Sequence, residues 1–62
     1  MNIPQDPYIL LSYINTKLRD EYPNLDELCA ELDIDCNHLE TVLSSIEYKY
    51  TQNMNRFTPM AD

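Results

Sequence analysis

The residues with the clearest chemical potential lie together in the middle of the chain. Cys29, Cys36 and His38 are residue types that ligate zinc, but a zinc site takes three or four such ligands at regular spacing. Only a C-x-H pair is present at 36–38, and Cys29 falls on the apolar face of its predicted helix. We therefore expect no metal site, and no redox pair between Cys29, placed inside, and Cys36, placed outside. Both cysteines are expected to be reduced thiols.

A second pattern in the same region matches the start of a calcium loop. Asp33, Asp35 and Asn37 give the spacing D-x-D-x-N. His38 stands where such a loop needs glycine, and Ser44 stands where it needs the closing glutamate. A turn followed by a helix cap explains these residues better than a calcium site.

Catalysis has little support in the sequence. The chain has 62 residues with one histidine and no glycine, which excludes phosphate-binding glycine loops and leaves little room for a cleft. Its acidic residues are spread over predicted helix surfaces. We expect a non-catalytic protein with no cofactor and no small-molecule substrate.

The first element that positions these residues is a helix over about 7–22, which follows an extended arm at 1–5. Asp6 is a good N-cap, and Pro7 suits the first helical position. Leu11, Ile14 and Leu18 recur at helical spacing, and Pro23 ends the pattern.

Two shorter helices follow, over about 25–33 and 36–46. Asn24 and Asp35 are their caps, and apolar residues recur at positions i, i+3, i+4 and i+7 in both. The connection through Ile34 is as short as in a helix-turn-helix, and the left-handed form that Asp33 would need there is accessible to aspartate.

Beyond residue 46 the period changes to two, because Tyr48 and Tyr50 alternate with polar residues. This pattern predicts a C-terminal hairpin with strands over about 47–51 and 55–58, turning at Asn53 or Asn55, before a loose tail at 59–62. The sequence thus predicts one mostly helical, winged-helix-like domain over 1–62.

The charge is distributed unevenly along this domain. The net charge is −7, and the segment 24–47 alone holds seven acidic residues and no base. A reading helix of this sign repels DNA, so we expect no unaided nucleic-acid binding. A minimal winged-helix regulator stays open as an alternative if a dimer or a partner gathers the bases on one face. No apolar run reaches 18 residues and no signal peptide is recognisable, which favours a cytoplasmic protein without membrane contact.

Aromatic and apolar residues outside the predicted core favour a protein-interaction module. Tyr8, Ile9, Tyr13 and Phe57 are the candidate interface, for self-association as a homodimer or for a protein partner. The alternative is that these rings close a small core.

Several blocks of the chain are similar to one known family. They are Ile3-Pro4-Gln5-Asp6-Pro7, Leu10-Leu11-Ser12, Asn15-x-Lys17-Leu18-Arg19-Asp20, Leu25-Asp26-Glu27-Leu28-Cys29, Leu32-Asp33-Ile34-Asp35 and Tyr48-x-Tyr50 with Asn55-x-Phe57. Together they resemble domain-of-unknown-function family 4250. The resemblance implies a free-standing, cytoplasmic bacterial protein, and it implies no activity or ligand.

The resemblance also draws attention to polar residues of the first helix, of which Asn15, Lys17 and Arg19 are candidate contacts. Lys49 and Arg56 join them because a winged-helix regulator would need these bases on one face. Arg19 could instead pair with an acid of the second or third helix, and Asn15 could satisfy buried backbone groups between helices.

Overall fold

The first helix, α1, spans Pro7–Asp20 in the computed structural model, which describes residues 3–60. The Asp6 carboxylate caps it by accepting hydrogen bonds from the amides of Tyr8 and Ile9, at 2.9 and 3.2 Å. The helix ends two residues earlier than predicted, because the amides of Glu21 and Tyr22 both donate to the Lys17 carbonyl. Pro23 then excludes a further turn.

The next two helices are α2, Leu25–Leu32, and α3, Cys36–Ser44. The side chain of Asn24 caps α2, and that of Asp35 caps α3, as predicted. Asp33 lies between them in the left-handed conformation, with φ 56°, and the Ile34 amide donates to the Cys29 carbonyl at 2.9 Å. The predicted turn is therefore confirmed, and α3 ends two residues earlier than expected.

A two-stranded antiparallel hairpin closes the chain, with β1 at Tyr48–Thr51 and β2 at Arg56–Pro59. Asn55 turns the chain with φ 52°, which confirms one of the two predicted turn residues. The expected loose tail is wrong in part, since Pro59 belongs to β2 and the Met60 amide donates to the Glu47 carbonyl at 2.7 Å. Residues 61–62 of that tail and residues 1–2 of the predicted arm lie outside the described residues.

The core lies where the three helices meet the inner face of the hairpin. Its buried side chains are Leu10, Ile14, Leu18, Leu25, Leu28, Cys29, Leu32, Leu39, Leu43 and Phe57. Phe57 is 1% exposed, with its ring centroid 5.7 Å from that of Tyr50. Phe57 thus anchors the hairpin among core leucines, with Tyr48 and Tyr50 packed partly buried beside it. The sequence-based fold class, three helices and a C-terminal hairpin, is confirmed.

The two cysteines differ from the sequence-based expectation. Cys29 is buried in α2 and Cys36 is half-buried at the start of α3, and the structure joins them as a disulfide with 5.9 Å between their Cα atoms. The expectation of two separate reduced thiols was wrong. The short turn brings Cys36, the first residue of α3, back against α2. The sequence-based expectation placed one cysteine on an inside face and the other on an outside face, and it did not consider this contact between the two helices.

No helix within residues 3–60 is both long enough and apolar enough to cross a lipid bilayer.

Candidate functional site

Of the four predicted interface residues, two lie exposed at the start of α1. Tyr8 is 63% and Ile9 is 60% exposed. Tyr13 is half-buried beneath Lys17, whose Nζ lies 5.6 Å from the ring centroid. Phe57 belongs to the core, so its place in the interface was wrong, because the hairpin packs that ring inward.

An open groove with a volume of about 430 Å³ lies at the N-terminal end of the fold, and neither Tyr8 nor Ile9 lines it. We call it the N-terminal groove. It is lined by Ile3, Pro4, Gln5, Leu10, Ile34, His38, Leu39 and Val42. Three parts of the chain supply the walls: the arm at 3–5, α1, and the stretch from the α2–α3 turn into α3. Six of the eight side chains are apolar, so the groove can take an apolar side chain from a ligand.

Exposed acidic residues adjoin the lining residues of the N-terminal groove along the chain. Asp33 and Asp35 flank the lining residue Ile34, and Asp6 follows Gln5. All seven acids of the segment 24–47 are exposed, and no base interrupts them. The potential around the groove is therefore negative, which favours a positively charged ligand.

The side chain of Asn15, a predicted contact residue, makes its hydrogen bonds within the fold. Its amide nitrogen donates to the Phe57 carbonyl at 3.2 Å, and its oxygen accepts from the Phe57 amide at 2.8 Å. Asn15 thus satisfies buried backbone, as suggested, but on strand β2 rather than between helices.

Asn55 has a matching role that sequence reasoning missed. Its amide nitrogen donates to the carbonyls of Leu18 and Tyr22 at 3.1 and 3.0 Å, and its oxygen accepts from the Tyr50 hydroxyl at 2.7 Å. These bonds tie the hairpin turn to the end of α1. The available signal was an asparagine at a turn position two residues before an aromatic residue, Phe57.

Two of the four bases are paired with acids on their own helix end. Lys17 Nζ lies 2.7 Å from Glu21, and this hydrogen bond raises the pKa of Lys17. Arg19 pairs with Asp20 at 2.9 Å, and that hydrogen bond lowers the pKa of Asp20. The suggested pairing of Arg19 with α2 or α3 was wrong, because an adjacent carboxylate was available.

The other two bases share the outward face of the hairpin. Lys49 pairs in register with Thr58, and Thr51 pairs with Arg56. Cross-strand partners point to the same side of a sheet, so Lys49 and Arg56 stand together there, away from the core. Arg56 also lines a second, more polar groove of about 500 Å³ with Arg19 and Thr16. Three of the four bases therefore lie around the hairpin, more clustered than the sequence indicates.

The metal-binding residue types are not assembled into a site within the described part of the chain. No group of three histidine, cysteine, aspartate or glutamate side chains converges there. His38 lines the N-terminal groove, while Cys36 is paired with Cys29. The sequence-based prediction did not include this disulfide. The feature that could have indicated it is the spacing of the two cysteines, which lie seven residues apart across a three-residue turn.

The residues that form the buried core lie within the part of the chain that matches a known protein family. No curated protein and no solved structure matches the chain. A family model described as "Domain of unknown function (DUF4250)" matches residues 4–57, which include all three helices, Asn15, Asn55 and Phe57. The match confirms the resemblance seen in the sequence, and the chain belongs to the DUF4250 family.

Proposed function

We propose that this protein is a cytoplasmic, non-catalytic protein-interaction module. Its N-terminal groove would bind an apolar side chain carried on a basic segment of a partner protein. The observation that supports this proposal most directly is a mostly apolar groove whose lining residues are flanked along the chain by exposed acids.

The energetics favour such a ligand over either a purely apolar or a purely basic one. Burying one leucine-sized side chain contributes about 1.5–3 kcal/mol, which alone gives weak binding. Basic residues beside it would meet Asp6, Asp33 and Asp35, and would speed the encounter with a chain of net charge −7.

A random twelve-residue peptide library selected against the immobilised chain tests the proposal. We expect the selected peptides to combine a large apolar residue with flanking lysine or arginine. Val42→Lys places a charge in the groove and should weaken a selected peptide about tenfold or more. Thr16→Lys adds the same charge in the second groove and should leave binding unchanged.

Three outcomes would overturn the proposal: no enrichment, enrichment of acidic peptides, or equal binding by both lysine variants. Far-UV circular dichroism of the two variants checks that both are folded. Light scattering over a dilution series addresses self-association, the other form of interaction expected from the sequence. A stable dimer that is lost on Ile9→Asp substitution would replace the proposed partner with a second copy of the chain.

One observation favours the alternative, a regulator that contacts nucleic acid. Lys49 and Arg56 share the outward face of the hairpin, and the structure places no acid on that face. Fluorescence anisotropy of a labelled DNA duplex at low salt tests it. Binding that Arg56→Gln weakens and that falls steeply with added salt would support this alternative. We give it second place because α3 carries no lysine or arginine.

A further inference from the structure

The disulfide spans the turn that supplies one wall of the N-terminal groove. Cys29 and Cys36 are the only cysteines in the sequence, and they span the α2–α3 turn. Ile34, inside the loop they close, lines the groove, as do His38 and Leu39 on the helix that Cys36 begins. A bond made or broken between the two sulfurs therefore acts on residues that contact a ligand in this groove.

The structure also accommodates the opened form of this bond. Cys36 Sγ lies 4.0 Å from the Leu25 carbonyl oxygen, which can accept a thiol proton. The turn has backbone support of its own, from the Ile34 amide on the Cys29 carbonyl and from the Asp35 cap of α3. Opening the disulfide should therefore loosen the turn without unfolding the chain.

We propose that Cys29 and Cys36 form a reversible redox switch that sets the position of Ile34 and the start of α3, and thereby the affinity of the N-terminal groove. The part that concerns affinity rests on the function proposed above. Disulfides in a thiol-rich cytoplasm are transient rather than permanent, which suits a switch better than a structural brace.

The exchange partner is a small thiol or its disulfide. A thiolate attacks Cys36 Sγ, the more accessible sulfur, the Cys29–Cys36 bond breaks, and Cys29 leaves as a thiolate that takes a proton from water. A second thiolate attacks the reagent sulfur of the mixed disulfide, releasing Cys36 as a thiolate, which is protonated in turn, and the oxidised reagent. Oxidation by a small disulfide runs the same steps in reverse.

The surrounding charge gives this exchange a selectivity. Asp33 and Asp35 flank the turn, and the segment 24–47 has no base. Anionic thiols such as glutathione should react more slowly than a cationic thiol such as cysteamine. The difference should narrow as salt screens the acids.

The test compares the unaltered chain after incubation with oxidised or reduced cysteamine. Mass spectrometry after alkylation should find no alkylated cysteine in the first sample and two in the second, with full return on reoxidation. Reduction should lower the Tm by about 15–20 °C, as expected for opening a loop of this length in so short a chain. Amide NMR shifts should change at Ile3 and Leu10, across the groove, as well as in the turn.

A peptide selected against the oxidised chain should bind at least about threefold more weakly after reduction. Cys36→Ala should bind alike under both conditions. Thiols that persist in oxidised cysteamine would overturn the switch, and so would shifts confined to 29–36. If peptides bind both states equally, the groove functions but the switch does not regulate it. If no peptide binds either state, the function proposed above fails, while the alkylation and the NMR shifts at Ile3 and Leu10 still decide the switch.

Discussion

At the scale of the residue, Asn55 joins three parts of the molecule, although the sequence marks it only as a turn residue. Its carboxamide bonds the Leu18 carbonyl in α1, the Tyr22 carbonyl just beyond α1 and the Tyr50 hydroxyl, while its own backbone is left-handed. Replacing it with alanine removes these bonds and leaves the left-handed backbone to a residue that tolerates it less well than asparagine does. We expect Asn55→Ala to lower the free energy of unfolding by about 2–4 kcal/mol in urea titrations.

Two comparisons separate the causes of that loss. Asn55→Gly keeps the left-handed backbone and removes only the hydrogen bonds, so it should be less damaging than alanine. Asn53→Ala changes an exposed turn residue for which the structure shows no side-chain hydrogen bond, and it should cost less than about 0.5 kcal/mol. Equal effects at positions 53 and 55 would contradict the role given to Asn55.

The ion pair between Arg19 and Asp20 makes a prediction about pH. The hydrogen bond from Arg19 lowers the pKa of Asp20, so the stability it adds is present above the unfolded aspartate pKa of about 3.9. That stability is lost as the pH falls through the lower folded pKa. Arg19→Gln should raise the Asp20 pKa in a carboxyl NMR titration, while the pair's effect on stability stays small because both groups are exposed. An unchanged titration would show that the pair does not persist in solution.

At the scale of the element, the link between α3 and β1 contains a residue in an unfavourable conformation. Glu47 has φ 63°, a region that costs a residue other than glycine about 1 kcal/mol. Glu47→Gly should therefore stabilise the protein by up to about 0.5–1 kcal/mol, measured by urea unfolding. The matched change Glu40→Gly, inside α3, removes the same charge but should destabilise by about 1 kcal/mol.

The elements themselves were predictable because local rules place them. Asp6, Asn24 and Asp35 cap helices by side-chain bonds to amides two or three residues away, and such bonds can be read from the sequence. The inward turn of Phe57 and the pairing of Cys29 with Cys36 depend on where whole elements pack. Periodicity places a side chain on a face but does not say which neighbour covers that face. For this reason Phe57 was wrongly assigned to the exposed interface.

At the scale of the whole molecule, the imbalance of charge should weaken the folded state. Seven exposed acids repel one another along α2, α3 and their turns, and added salt screens that repulsion. Raising sodium chloride from about 10 mM to about 150 mM should stabilise the chain by an amount on the order of 1 kcal/mol. In the Glu40→Lys variant the stabilisation by added salt should be smaller, because this change reduces the repulsion that the salt screens. A salt effect that is the same in both proteins would argue against repulsion within this segment.

The candidate site was only partly visible in the sequence for a related reason. Tyr8 and Ile9 could be named because they lie off the apolar stripe of α1, and both are exposed. The N-terminal groove needs Ile3 and Pro4 from the arm against Val42 from the far end of α3. No local sequence pattern relates residues so distant along the chain. The groove can therefore be identified only in the folded structure.

The paired bonds of Asn15 to Phe57 have a consequence for solubility. A two-stranded sheet leaves backbone groups along its outer edges, and such an edge can recruit strands from other molecules into fibrils. On β2 the amide and carbonyl of Phe57 are already occupied by the Asn15 carboxamide. One side chain thus stands where the next strand of a growing aggregate would attach. Asn15→Ala would uncover that place, and a chain that remains largely folded should begin to bind thioflavin T.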